Sequence, residues 1–264
     1  MKFAALALTA VLTGCASPIP ATGPVVVYAA GSLRDALTEV ALDHKARTGQ
    51  QVALTFGPSG LLRERIENGE GAQVFASADT QHPQRLADGG GWAPQTVFVR
   101  NSLCALVQPA LAVNTANLLQ TLLRPDVKLG MSTPKADPSG DYALALFQKA
   151  ETVVPGSQTR LTAKALQLTG GPASPAAPAG RNLYAWVMEQ GQADVFLTYC
   201  TNAVAARQQV SALQVVQVPP ALQVGAAYGL TVRQGAPAPA AAFAKALLAP
   251  PAQAILARHG FGAP

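Results

Sequence analysis

The chain has 264 residues, 49% of them hydrophobic and only 12% charged, with 19 Lys and Arg against 14 Asp and Glu for a formal net charge of +5. A charged fraction well under the usual ~25% argues against disorder and coiled coils, and the length suits one or two domains with a real core. The cations never run longer than two in succession, and His44, His82 and His259 lie far from one another and from any Cys. No nucleic-acid partner, no metal and no cofactor are therefore expected.

Met1-Lys2 opens the chain with a positive charge, and Phe3–Leu12 follows as an apolar stretch too short for a permanent membrane helix but suited to a signal-peptide core. The stretch ends Leu12-Thr13-Gly14-Cys15, which resembles the bacterial lipobox, where cleavage leaves an acylated Cys. A plain secretory signal with an incidental Cys is the alternative. Residues 1–15 are thus expected to be a lipoprotein signal peptide with Cys15 as the lipidation site, and residues 16–24 a Pro-rich tether. No later segment has 18 uninterrupted apolar residues, so the expected product is an exported domain. It is held by lipid alone at the periplasmic or cell-surface face of a bacterial membrane.

Short apolar runs then alternate with helical patterns. Strands are predicted at Val25–Ala30, Val52–Phe56 and Val74–Ser77, with helices at Ser32–His44 and Leu61–Glu67 between them. This β-α-β-α-β order predicts a parallel sheet flanked by helices. A second series has strands at Leu103–Gln108, Val127–Ser132 and Asp194–Tyr199, and helices at Asp141–Ala150 and Leu183–Gln190. Gly170–Gly180 is an Ala/Pro/Gly loop without periodicity. Strands at Val215–Val218 and Tyr228–Val232 precede helices at Pro237–Leu248 and near Ala252–His259. Two such series without a breakable linker predict an α/β protein of two lobes that share strands.

With Cys15 assigned to lipidation, Cys104 and Cys200 remain, both in apolar, strand-like segments. Export permits a disulfide between neighbouring strands; two inert buried thiols are the alternative. No Cys-x-x-Cys exists to support redox catalysis.

Four turns share one design, in which a strand or loop ends, small or polar residues follow, and a helix begins. They are Ala29–Leu33, Phe56–Gly60, Asp137–Asp141 and Ala179–Asn182. In an open α/β sheet such turns lie at the carboxyl ends of strands, where ligands bind. Each helix start offers unpaired N–H groups and a positive dipole end, and Ser32, Ser59 and Ser139 add hydroxyls. Several such ends converging would form a neutral cage for a compact anion. Ordinary N-capping, at ~1 kcal/mol per cap, explains any one turn equally well without a ligand.

Val27-Tyr28-Ala29-Ala30-Gly31-Ser32-Leu33 resembles the opening of the molybdate-binding proteins of ABC importers, a type II periplasmic solute-binding family. Phe56-Gly57-Pro58-Ser59-Gly60-Leu61-Leu62 is similar to that family's second serine turn, and Ala72–Asp79 to its "A-D-x-F-x-S-A-D" segment. Asn101-Ser102-Leu103, Pro138–Ala143, Leu197-Thr198-Tyr199 and His259-Gly260-Phe261 continue the resemblance in order, over nearly all of the mature chain.

The resemblance implies a two-lobed periplasmic-binding-protein fold, each lobe a mostly parallel sheet flanked by helices, with a hinge of crossing strands. Residues 25–100 plus 226–264 would form lobe I, and residues 101–225 lobe II. It further implies a monomer that captures a tetrahedral oxyanion, molybdate or tungstate, and hands it to an ABC-importer permease. The ligand contacts carried over are Ser32, Ser59, Ser139, Arg181 and Tyr199, with no catalytic residue. Two of these depart from the family pattern. Arg181 stands where a small apolar residue is usual, and Ser139 replaces Ala.

A fully deprotonated dianion has only acceptors, so neutral donors suffice and a carboxylate would repel it. Hydrogen phosphate needs an acceptor for its proton, and none of the five inferred contacts is acidic. Asp137 and Asp141 flank Ser139 and are expected as solvated turn residues; either one pointing inward would open the site to phosphate. Sulfate, phosphate or a carboxylate ligand held by Arg181 is the alternative cargo. A serine hydrolase is the enzymatic alternative, since Gly57-Pro58-Ser59-Gly60-Leu61 approaches the Gly-x-Ser-x-Gly elbow and His259 is its one late His.

Overall fold

The computed structural model describes residues 23–264, so Cys15, the signal segment 1–15 and most of the tether lie outside the described residues. The run VVVYAA forms β1 (Val25–Ala30), and its near-continuous apolarity suits a strand covered on both faces. A single 3₁₀ turn, Gly31–Leu33, leads into α1 (Arg34–Thr48), followed by β2 (Val52–Gly57), α2 (Ser59–Glu67), β3 (Val74–Ser77) and α3 (Gln81–Asp88). The long β4 (Thr96–Val107) opens the second half: α4 (Leu118–Leu123), β5 (Leu129–Ser132), α5 (Pro138–Val153), α6 (Ser157–Lys164), β6 (Leu166–Thr169) and α7 (Leu183–Glu189). It continues with β7 (Val195–Tyr199), α8 (Cys200–Gln209) and β8 (Gln214–Gln217). The chain returns through β9 (Gly225–Val232), α9 (Ala238–Leu247) and α10 (Pro250–Arg258).

The strand order is β2-β1-β3-β9-β4-β7-β5-β6, with β8 also on β4. β1 runs parallel to β2 and β3, and β5 runs parallel to β6 and β7. Every pairing made by β4 and β9 is antiparallel. Each half therefore has a parallel trio with an antiparallel seam, a more mixed sheet than the parallel pattern expected. Thr96–Ser102 of β4 pair with β9, whereas Leu103–Val107 pair with β7 and the last four of those also with β8. β4 is thus a shared strand at which the ladder changes partners after Ser102. The half built on β1–β3, α1–α3, α9 and α10 is called lobe I below, and that built on β5–β8 and α4–α8 lobe II.

Two helix starts differ from the periodicity in a way local chemistry explains. Gly31–Leu33 wind as a 3₁₀ turn, which delays α1 to Arg34. α5 begins three residues early at Pro138, whose fixed φ suits the first helical position, with Asp137 as the cap. The segments α3, α4, α6, β6 and α8 are not among the elements predicted above; α4 is short but buries four leucines, β6 is half exposed and α8 buries Asn202, Ala203 and Ala206. A hinge cluster of aromatics fills the seam. Tyr228, fully buried, packs tilted against Tyr199 (5.5 Å between centroids) and edge-to-face against Phe261 (5.6 Å) and Phe98 (6.5 Å).

Candidate functional site

The carboxyl ends of β1, β2, β3 and β7 all open onto one cleft between the lobes, of about 970 Å³. Parallel strands feeding helices on the same side bring their end turns to one edge. Ser32 follows β1, Ser59 begins α2 just after β2, and Tyr199 ends β7; all three line the cleft, as does Arg181. Ser139 does not line it.

The lobe I serines are held in different ways. Ser59 is 1% exposed, and its Oγ accepts the Ala78 N–H at 3.1 Å. As the first residue of α2, Ser59 also carries one of the backbone N–H groups that a helix leaves without an internal partner. The Ser32 hydroxyl lies 2.9 Å from the Tyr228 hydroxyl. Asn101 Nδ2 donates to that same phenol at 3.2 Å and to Thr201 Oγ1 at 2.9 Å. This chain of hydroxyls joins Ser32 in lobe I, through β4 and β9, to the first turn of α8 in lobe II.

Tyr199 reaches across the cleft and donates to the Ala78 carbonyl at 3.2 Å. Burial, with the neighbouring Tyr228, holds its phenol well above the ordinary tyrosine range, so it is a neutral donor at every working pH. A disulfide joins Cys104 of β4 to Cys200, the residue after Tyr199, with the Cα atoms 4.7 Å apart. It links a strand to a helix start rather than two neighbouring strands, because β7 ends at Tyr199.

In lobe II the structure departs from the carried-over contacts. Ser139 is fully buried, its N–H donates to Asp137 Oδ1 at 3.0 Å, and its hydroxyl has no partner. The Arg181 N–H donates to the Pro178 carbonyl at 3.0 Å, and its guanidinium pairs with Glu189. The Asn182 side chain caps α7 by accepting from the Tyr184 and Ala185 N–H groups. The Ser139 N–H and the Arg181 N–H and guanidinium are thus engaged within the chain, while the Ser139 hydroxyl is buried without a partner.

Asp137 overturns its expected placement as a solvated turn residue. It is half-buried on the cleft wall, and burial pushes its carboxyl up to about 6, against the opposing Ser139 N–H and Ser132 hydroxyl. Its N-cap bond turns it inward, over the start of its own helix. Asp141 faces another crevice, where its carboxylate accepts the Lys135 N–H at 3.1 Å. His259 also lines the cleft, but its Nε2 lies 2.8 Å from Glu39 Oε2, and the hydroxyl of Ser59 meets the Ala78 amide instead of an imidazole.

Asp137, Asn101, Ala78 and Tyr228 are the site residues that sequence reasoning did not single out as contacts. A polar residue directly before Pro at a helix start was the available signal for Asp137. Nothing local marks Tyr228, whose role depends on a strand 127 residues away from Asn101.

Two lobes sharing crossing strands, with serine hydroxyls and helix starts on the cleft between them, define a two-lobed α/β binding protein. A family model described as bacterial extracellular solute-binding protein matches residues 25–262, and the chain belongs to that family. An uncharacterized protein of Pasteurella multocida is 40% identical over 207 residues, covering 77% of this chain and 85% of that one. The molybdate-binding protein ModA of Mycobacterium tuberculosis is 29% identical over 97% of this chain and 95% of its own. Among solved structures, the periplasmic molybdate-binding protein of Azotobacter vinelandii superposes with a TM-score of 0.71 at 21% identity, covering 91% of this chain and 99% of that one. The sulfate-binding protein SubI of M. tuberculosis gives 0.74 at 18% identity, covering 91% and 86%. At these identities the structural likeness concerns the fold.

Proposed function

We propose that this solute-binding protein captures a tetrahedral oxyanion, molybdate or tungstate, between its lobes and delivers it to an ABC-importer permease as a monomer anchored by lipid at Cys15. The observation that carries the reading is that Ser32, Ser59 and Tyr199 stand on the walls of one inter-lobe cleft, at the carboxyl ends of three different strands. Hydroxyl and backbone donors match an anion with acceptors only, and the α2 start adds the positive end of a helix dipole. Ser59 and Tyr199 meet at the N–H and the carbonyl of Ala78, so closure and the donor set are coupled. The role is binding and release, with no catalytic step.

The cleft supports a second reading. At about 970 Å³ it lies near the top of the ~300–1,000 Å³ range of pockets for organic ligands, so a larger phosphorylated or sulfated solute also fits. A carboxylate ligand held by Arg181 is less favoured, since that guanidinium is committed to Glu189.

Isothermal titration calorimetry against molybdate, tungstate, sulfate and phosphate at fixed salt tests the proposal. One-to-one binding of molybdate and tungstate with sulfate much weaker supports it. Heat only with phosphate or a phosphomonoester favours the larger-solute reading, and no heat with any anion overturns both.

A further inference from the structure

We propose that oxyanion capture in this cleft is proton-linked through Asp137: the anion reaches the start of α5 only together with one proton, carried either by the Asp137 carboxyl or by the anion itself. The inference rests on the oxyanion reading above and adds to it which protonation state the cleft accepts.

The Ser139 N–H, at the first turn of α5, already holds an oxygen, and that oxygen belongs to a carboxylate of the protein. Asp137 has little room to step aside. Its own N–H donates to the Thr133 carbonyl at 2.9 Å, and its side chain lies against Gly170, where an added Cβ would fall 2.5 Å from Asp137 Cβ and 2.6 Å from Oδ2. An oxyanion arriving at this end of the cleft therefore meets the carboxyl itself.

The charges around Asp137 do not neutralise it. Among the described residues it forms no ion pair, and the cleft cations Arg181 and Arg258 are committed to Glu189 and Glu39. Arg34 lies over the Phe56 ring, 4.7 Å from its centroid. Asp141, on the same helix, adds a like charge. The phenols of Tyr184 from α7, Tyr199 from β7 and Tyr228 from β9 are all held above the usual tyrosine range by burial and stay neutral. A dianion beside an ionised carboxylate in this setting has repulsion and no hydrogen to share. With one proton between them the contact becomes an O–H···O⁻ hydrogen bond, one of the stronger kinds. Burial makes that proton accessible, since the carboxyl titrates at about 6 rather than 3.8. Above that pH a dianion must draw the proton from solvent, so its affinity falls as pH rises; below it the carboxyl is already neutral and affinity levels off. Hydrogen phosphate brings its own proton.

Calorimetry at pH 7.5 in two buffers of different ionisation heat reads the proton directly, with sulfate, molybdate and phosphate as probes. The expected result is uptake of about one proton per sulfate or molybdate, none for phosphate, and dianion affinity falling about tenfold per pH unit between 7 and 8. Asp137→Asn keeps a capping side chain, so the helix start is retained. It is expected to bind sulfate about 30-fold more tightly at pH 7.5 with no proton uptake. Tight dianion binding by the unaltered protein without proton uptake overturns the proposal and leaves the oxyanion reading standing. Uptake that persists in Asp137→Asn overturns it by placing the proton elsewhere. Failure of both proteins to bind any of the three anions overturns the proposal and the oxyanion reading together.

Discussion

The Gly60 amide donates to the Ala136 carbonyl at 2.9 Å, from the first turn of α2 in lobe I to the loop before α5 in lobe II. The lobes approach so closely here that a Cβ on Gly60 would stand 2.2 Å from the Lys135 carbonyl oxygen. Lys135 itself holds a φ of 66°, an uncommon conformation for a residue with a side chain, with its N–H on the Asp141 carboxylate. Gly60→Ala is therefore expected to hold the lobes apart. An overpacking cost of about 1–3 kcal/mol on closure corresponds to roughly tenfold to hundredfold weaker capture. Small-angle scattering with saturating anion reads it, and a variant as compact as the original with unchanged affinity contradicts the latch.

Ala78 is gripped from both lobes, by Ser59 Oγ at its N–H and by the Tyr199 hydroxyl at its carbonyl. Ser59→Ala leaves a buried N–H unpaired, costing about 1–3 kcal/mol of stability. It also removes an anion donor, so affinity should fall more than tenfold. Tyr199→Phe breaks the bond across the cleft. Because both variants act on the backbone of one residue, a double-mutant cycle in anion affinity should show non-additive coupling; simple additivity would separate their roles.

Cys104 and Cys200 close a loop of 96 residues, from β4 to the residue beside Tyr199. A cross-link of that span typically contributes about 2–5 kcal/mol. Cys104→Ala with Cys200→Ala should lower the urea midpoint accordingly and weaken anion binding, because the cross-link that fixes the residue after Tyr199 to β4 is lost. Thermal and chemical denaturation with and without a reductant provide the check.

His82 is 6% exposed, with neither ring nitrogen hydrogen-bonded and Nε2 3.9 Å from Asp79 Oδ2. Burial holds its imidazole below the ordinary range, with Arg63 and Arg85 adding to that and Asp79 and Asp141 opposing. A group whose folded pKa is lowered takes up its proton more readily when unfolded. His82 therefore costs no stability well above pH 6.5, and the cost grows as pH falls below that value. His44, also buried and shifted the same way, acts in the same direction. Urea midpoints at pH 7.5 and 5.5 should differ less in His82→Asn than in the original chain; an equal difference sinks the assignment.

Much of the scaffold is legible in the chain. Val25–Ala30 and Val74–Ser77 are strands at the boundaries their apolar runs predict, because fully buried parallel strands leave no polar positions to blur them. The strand predicted at Leu103–Gln108 is in fact the end of a longer one, Thr96–Val107. Its part paired with β9 includes Arg100, Asn101 and Ser102, polar residues whose strand conformation that pairing imposes. The four turn motifs fall at or beside cleft-lining helix starts, except that Ser139 of the third is buried and Asp137 takes its place on the wall.

By itself the sequence determined the α/β alternation and the positions of Ser32, Ser59 and Tyr199 at strand ends. These follow from local periodicity and from small residues at turns, which act over a few positions. Only the tertiary structure decided which donors remain on offer. The Ser139 N–H is taken by Asp137, the Arg181 guanidinium by Glu189, and the Gly60 amide by Ala136 across the cleft. Hydrogen bonding is settled by which groups meet once the lobes pack, and a buried group takes the nearest partner whatever its distance along the chain.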